Sequence, residues 1–356
     1  MNVQSIIRNY VIKTLCAISA LLLFASCVQE GNVIYVNEDE EEDTRPLVVF
    51  VCGEDKMGDL TYYDVLYSGI MKAATTHDML VFLYLLKDDT PDQFKESFES
   101  LFTSFLSGFN GHKVLVVLGN DNYESALHAC EEDLKKNPNM DVLLVESRDE
   151  TLPVNTLSFS LYGACYQAGR AVGHSMDEVK NIAIVSANQT DDYLTDLRKG
   201  FMLGLFDENN MVKADTLFLA ADSKGYNMTD SAYHISYALD SMYQMVLPLC
   251  GGTIQGFLRY NREHPSSFYT IGIDTDMQQY ASRVPFSLVK HLDQAVSDWI
   301  AKWVAGDEIP PHLYYGLESG YTEIVLSDPY KALLESAMQQ YEQTAITKEN
   351  EYNASK

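Results

Sequence analysis

The sequence predicts an α/β protein built as two doubly wound parallel-sheet lobes with a cleft between them. Three observations carry that expectation. Short unbroken apolar runs recur, among them 47–52 (LVVFVC), 114–118 (VLVVL) and 182–185 (IAIV), and such runs suit strands covered on both faces. Stretches with helical spacing separate them, the alternation of a parallel sheet with crossover helices. The alternation then runs through a second time, and 356 residues suffice for two cores.

In order, the first lobe reads as strand 47–52, helix 62–76, strand 79–86, helix 93–106, strand 114–118, helix 123–136 and strand 142–145 (VLLV). The second begins with a short strand at 157–159 and a helix over 162–176. It continues with strand 182–185, helix 194–206, strand 216–219, helix 232–245 and strand 246–249. A helix at 255–262, a strand at 269–273 (YTIGI) and a long helix over 291–305, stopped by Gly306, complete the pattern. The expected division is an N-terminal lobe, 47–156, completed by about 288–318, and a C-terminal lobe, 157–287, completed by about 319–343. Residues 344–356 read as a polar tail, frayed over 348–356.

Before the first lobe, Arg8 and Lys13 precede an uncharged run, 14–27, centred on Leu21-Leu22-Leu23-Phe24. A basic start, a short apolar core and small residues describe a secretory leader, and the run falls short of the ~20 apolar residues of a membrane span. Ala25 and Ser26 directly before Cys27 resemble a bacterial lipobox, which makes 1–26 the leader and Cys27 an acylated N-terminus. An ordinary leader with an incidental cysteine is the alternative. Residues 27–46 form an acidic linker, with six successive acids at 38–43 that repel one another and stay extended.

The net charge is −26, and about −28 once Arg8 and Lys13 leave with the leader. That balance repels nucleic acid and anionic lipid headgroups, so nucleic acid is not expected as a partner and the membrane bond falls to acyl chains. Cys52, Cys130, Cys165 and Cys250 lie far apart, with no CxxC pair and no accompanying histidine spacing. A metal site is therefore not expected, and buried thiols are preferred to disulfides. There is no G-x-S-x-G, no H-E-x-x-H and no suggestive Cys/His pair, so catalytic residues and cofactors are not expected either.

Six segments in order resemble the basic membrane lipoprotein family, purine nucleoside receptor-like lipoproteins of ABC transporters with a type I periplasmic-binding fold. Gly58-Asp59-Leu60-Thr61-Tyr62-Tyr63-Asp64, running on to Tyr67-Ser68-Gly69, is similar to D-x-S-F-N followed by W-E-G. Phe159 with Tyr166-Gln167-Ala168-Gly169 is similar to F-x-x-x-E-x-x-Y-L-A-G, and Gly200-Phe201-Met202-Leu203-Gly204 to G-F-x-x-G. Gly251-Gly252-Thr253 with Gly256 resembles G-G-T-G-x-G, and Ile271-Gly272-Ile273-Asp274-Thr275-Asp276 resembles I-G-V-D-x-D-Q. Ser287-Leu288-Val289-Lys290 with Asp293, then Tyr315-Gly316-Leu317 and Gly320, resembles T-S-x-x-K-x-x-D and a later Y-G-L-x-x-G. The chain departs from the pattern at Tyr63 (family Asn), Gly163 (family Glu) and Met277 (family Gln), and it lacks an aromatic near 220–222.

Strand ends supply the candidate ligand-binding residues, because ligands of doubly wound sheets sit at the carboxyl ends of strands. Asp274 ends the strand over 269–273, where a carboxylate can accept from two vicinal hydroxyls; a helix cap or surface charge is the bland alternative. The resemblance implies that Asp274 binds a sugar. Lys290 can hold a sugar hydroxyl and offset Asp274, or be no more than a solvated lysine. Gly251 and Gly252 follow strand 246–249 and can bring backbone N–H groups close to a ligand, or simply turn the chain. Asp59, Tyr62 and Tyr63 follow the first strand, where an aromatic can stack on a base or sugar; with 23 tyrosines, packing competes. Asn120 and Asp121 end the third strand and can read a heterocycle edge, or signal a turn. Asp222 is a further candidate of the same kind.

The resemblance implies a lipid-anchored solute-binding protein, periplasm-facing or at the cell surface. It would capture a nucleoside or related ribosyl compound and deliver it to an ABC permease. A sensing or surface-capture lipoprotein of the same fold is the first alternative, and an enzyme acting on a nucleoside or glycan is the second.

Overall fold

The structure is a computed structural model describing residues 43–356 except 55–56, 59–61, 88–94, 98–100, 102–105, 110, 137–138 and 209–210. The leader, Cys27, most of the acidic linker and most of the helix expected at 93–106 lie outside the described residues.

β1 (Leu47–Gly53) is buried at every residue, as its unbroken apolar run requires inside a sheet covered on both faces. β2 (Leu80–Leu86) and β3 (Val114–Leu118) flank it in parallel. β4 (Met140–Val145) and β5 (Asn155–Phe159) extend the sheet beyond β3. A late strand, β12 (His312–Tyr315), returns to the far edge beside β5, giving the all-parallel order β12-β5-β4-β3-β1-β2. On one face α1 (Tyr62–His77) and α8 (Leu292–Ala305) pack Leu66, Ile70, Val296 and Ile300 onto Val48, Phe50, Leu115 and Val117. The other face buries Val49, Val116 and Leu118 against Tyr123 and Leu127, at the start of α2 (Glu124–Ala129) and α3 (Glu131–Lys135).

The second lobe carries the parallel order β7-β6-β8-β9, from β6 (Asn181–Asn188), β7 (Lys213–Ala220), β8 (Met245–Leu249) and β9 (Tyr269–Thr270). One residue later β10 (Gly272–Asp274) pairs in parallel with β11 (Phe286–Lys290), which pairs antiparallel with β13 (Thr322–Leu326). The Ile271 N–H donates to the Val246 carbonyl at 3.0 Å, so the two sheets are joined at that residue. The helices are α4 (Tyr162–Ser175), α5 (Asp192–Glu208), α6 (Thr229–Asp240), α7 (Ile254–Glu263) and α9 (Lys331–Asn353). Where α4 crosses α5, a Cβ on Gly169, Gly200 or Gly204 would lie 2.1–2.4 Å from a backbone oxygen of the facing helix. These motif glycines are therefore a packing seam that lets two backbones touch.

The chain passes between lobes three times: after β5, after β11, and between β12 and β13. One correction concerns the end of the chain. Residues 344–353, read as a polar tail, continue α9, with Ala345 and Glu349 buried. Leu334, Met338, Tyr341 and Ala345 continue one face at helical spacing. Gly163 then leaves the space that Glu349 fills: a Cβ on Gly163 would stand 3.0 Å from the Glu349 Cδ. The Glu349 carboxylate accepts from Gly163 N–H at 2.9 Å and from Leu317 N–H at 2.7 Å, capping backbone at two of the three passages. A carboxylate thus stands where the resembled motif places its own glutamate, supplied from 186 residues away in sequence.

Candidate functional site

Three strands end at one place. β11 ends on Lys290, β10 on Asp274, and Glu146 directly follows β4. The Lys290 Nζ lies 2.6 Å from Glu146 Oε1 and 3.1 Å from Asp274 Oδ1. Its side chain is 6% exposed, against 18% for Glu146 and 29% for Asp274. Burial alone would drive the ammonium's pKa down, but Asp274 and Glu146 more than reverse this and hold it well above the ordinary lysine value. Glu146 belongs to the first lobe and Asp274 to the second, so one cation ties the two lobes together.

Both carboxylates sit on unusual backbone. Of three described non-glycine residues with positive φ, two are Glu146 and Asp274, each at +65°. That conformation costs of order 1 kcal/mol or more per residue and gathers at functional sites.

Aromatic rings enclose the ammonium. Its nitrogen stands 5.2 Å from the Tyr193 ring centroid, 5.6 Å from Tyr62 and 6.0 Å from Phe159, distances at which a ring face attracts a cation. Tyr62 opens α1 and Tyr193 sits in the first turn of α5. Among the described residues neither hydroxyl has a hydrogen-bond partner, though both oxygens are buried. Burial, followed by the Glu146 charge, pushes the Tyr62 phenol well above its usual pKa. Burial does the same at Tyr193, opposed by Lys290. Both phenols are therefore neutral at physiological pH. Arg148 buttresses this wall: its guanidinium meets Asp196 at 3.1 Å and the Phe159 carbonyl at 3.0 Å, and lies 4.6 Å over Tyr314.

Of the residues singled out from sequence, the fold brings Lys290, Asp274 and Tyr62 together. Tyr63 points into the first core, edge-on to Tyr62 at 5.2 Å, and its hydroxyl accepts from Asn120. The Asn120 side chain also accepts from Asn122 N–H at 2.8 Å, closing a turn after β3. Asp121 opens the 3₁₀ turn Asp121–Tyr123. Gly251 and Gly252 begin a 3₁₀ turn after β8. Gly251 has φ +51°, and a Cβ there would press within 2.9 Å of the Tyr226 ring, whose hydroxyl donates to Asp191 at 2.7 Å. Asp274 is felt there too, adding to the burial that raises Cys250 and Tyr226. Asp222 is exposed and accepts from Lys224 N–H at 3.0 Å, capping the 3₁₀ turn Ser223–Asn227. Asp59 lies outside the described residues.

Sequence reading passed over Glu146, Arg148 and Tyr193. Glu146 carried a usable signal, the first charged residue after the strand run VLLV. Tyr193 carried a weaker one, an aromatic opening the helix after the second lobe's first buried strand.

The family model described as "ABC transporter substrate-binding protein PnrA-like" (Bmp) matches residues 47–356. The chain belongs to this family. No curated protein matches it. Among solved structures it is similar to a transcriptional activator of the comK gene from Bacillus halodurans, at 16% identity and TM-score 0.63, covering 84% of this chain and 98% of that one. It is similar to an ABC transporter solute-binding protein from Aeropyrum pernix K1, at 17% identity and TM-score 0.62, covering 83% and 85%. A periplasmic solute-binding protein from Actinobacillus succinogenes 130z with bound D-allose aligns at 12% identity and TM-score 0.61, covering 81% and 100%. These likenesses show the fold, that of type I periplasmic-binding proteins. Membership of the Bmp family makes the chain a substrate-binding protein of an ABC transporter and not an enzyme. A small molecule and a permease are its partners, and the cell envelope is its place. No helix among the described residues is long and apolar enough to cross a membrane.

Proposed function

We propose that the cargo is a nucleoside, held through its ribose by Asp274 and Lys290 and stacked against Tyr62, with Gly251 and Gly252 near the base. The observation that carries this reading is the Lys290 ammonium wedged between carboxylates of opposite lobes within a ring of aromatic faces. A ribose diol can donate to Asp274 while the ammonium donates to a sugar oxygen, and an aromatic face suits a base. Cargo that competes for Lys290 makes contacts with both lobes at once, which is what a closing clamshell needs: a ligand shifts the equilibrium only by its differential affinity for the closed form. In this reading the leader 1–26 is removed, Cys27 is acylated, and the acidic linker holds the lobes away from the bilayer.

A thermal-shift screen of adenosine, guanosine, cytidine and uridine beside free ribose and D-allose tests the ligand class. Binding to the folded state raises the melting temperature with the logarithm of ligand excess. A response to the sugars alone would overturn the nucleoside assignment. Asp274→Ala is expected to weaken the responding nucleoside by about 1.5–3 kcal/mol, the loss of charge-assisted hydrogen bonds; unchanged affinity by calorimetry removes Asp274 from the site. Cys27→Ser is expected to release the protein from the membrane fraction, and continued retention would contradict acylation there.

A further inference from the structure

The Tyr62 and Tyr193 hydroxyls are buried without hydrogen-bond partners among the described residues, and their rings flank the same ammonium from opposite lobes. Other half-buried or buried tyrosines are answered: Tyr166 donates to Asp207, Tyr226 to Asp191 and Tyr352 to Asp196, each at 2.7 Å. A buried hydroxyl with no partner carries its desolvation penalty uncompensated, and phenylalanine would fill the same volume without it. Two such hydroxyls, on rings that flank one charged group, are not explained by packing.

We propose that Tyr62 and Tyr193 are specificity-determining residues whose hydroxyls hydrogen-bond the cargo from the two lobes. The choice of probe rests on the nucleoside reading above, while the claim about the hydroxyls does not. The two carboxylates of the site supply acceptors. The two neutral phenols and the remaining N–H of Lys290 supply its donors. A molecule matched to that set is uncharged and carries acceptors toward both lobes as well as hydroxyls, as a heterocycle joined to a sugar does. The match is complete only when both lobes close on it, so the hydroxyls reward closure as well as contact. A site built to hydrogen-bond its cargo rejects analogues lacking the bonding atom far more strongly than an apolar pocket rejects a change of size.

The test compares Tyr62→Phe, Tyr193→Phe and the double variant with the parent protein. Each keeps the ring and removes only the hydroxyl. Calorimetry with adenosine, guanosine and D-allose is expected to show about a tenfold or greater loss for whichever probe binds tightest, with the double variant weaker than either single one. Melting temperatures without ligand are expected to stay level or rise. Unchanged affinity in both single variants would overturn the proposal. So would a lower ligand-free melting temperature, which would mean that the protein or a bound water holds the hydroxyl. If none of these probes binds the parent protein, and cytidine and uridine fail as well, the nucleoside reading fails separately. The ligand-free melting temperatures still decide this proposal, a level or raised value supporting it and a fall overturning it.

Discussion

The Lys290 trio and the Glu349 junction are both buried charge sites where the lobes meet, and they are built in opposite ways. At the junction both carboxylates are answered. Glu349 caps two backbone N–H groups, and Asp196 receives Arg148, the Tyr352 hydroxyl and Lys356. The Tyr352 ring stacks on Tyr162 at 4.0 Å. At the trio the backbone is strained at two residues and two phenols are unanswered. Satisfied polar networks hold a fold together, whereas strain and orphaned groups gathered at one spot call for an explanation, and the proposed cargo supplies one at the trio.

That contrast can be broken most severely at Lys290. Lys290→Met leaves Glu146 and Asp274 facing each other without a cation and is expected to cost about 3–5 kcal/mol in urea denaturation, with cargo binding lost. Neutralising all three, with Glu146→Gln and Asp274→Asn added, is expected to restore most of the stability but none of the binding. A triple variant that still bound cargo would show that the trio only fastens the lobes.

At the junction the expected effects are smaller and confined to stability. Glu349→Ala leaves the Gly163 and Leu317 N–H groups unanswered and is expected to cost about 1–3 kcal/mol, with affinity nearly unchanged. A parallel loss of affinity would mean that the junction sets lobe closure as well. Burial raises the Glu349 carboxyl above its usual 4.5. The folded state therefore holds this proton more tightly than the unfolded chain, so its contribution is present at low pH and declines as pH rises from 4.5 through the raised value. Glu349→Gln is expected to flatten that decline, seen as a smaller pH slope of the melting temperature. Smallest is Tyr352→Phe, which removes one hydrogen bond to Asp196 and is expected to cost about 0.5–1.5 kcal/mol.

The alternation of buried strands and helices was legible because each buried strand is a local run, such as LVVFVC, that needs no distant partner to be recognised. Lys290 and Asp274 stood out because they close such runs within quoted motifs. Glu146 did not, since 51 acidic residues in one chain make any single carboxylate uninformative. Tyr193 was hidden for the same reason among 23 tyrosines. The motif glycines of α4 and α5 fall inside expected helices, and only the crossing of the two helices shows that they are there for contact. The last helix misled because its exposed face is strongly polar, although Leu334, Met338, Tyr341 and Ala345 kept their spacing to the end.

By itself the sequence determined the family and the doubly wound class, since periodicity and ordered motifs are properties of neighbouring residues. Only the tertiary structure decided that Lys290 bridges Glu146 and Asp274, and that Glu349 occupies the room left by Gly163. Those pairs join segments up to 186 residues apart, and burial makes their energies depend on what else surrounds them. No local pattern carries that information.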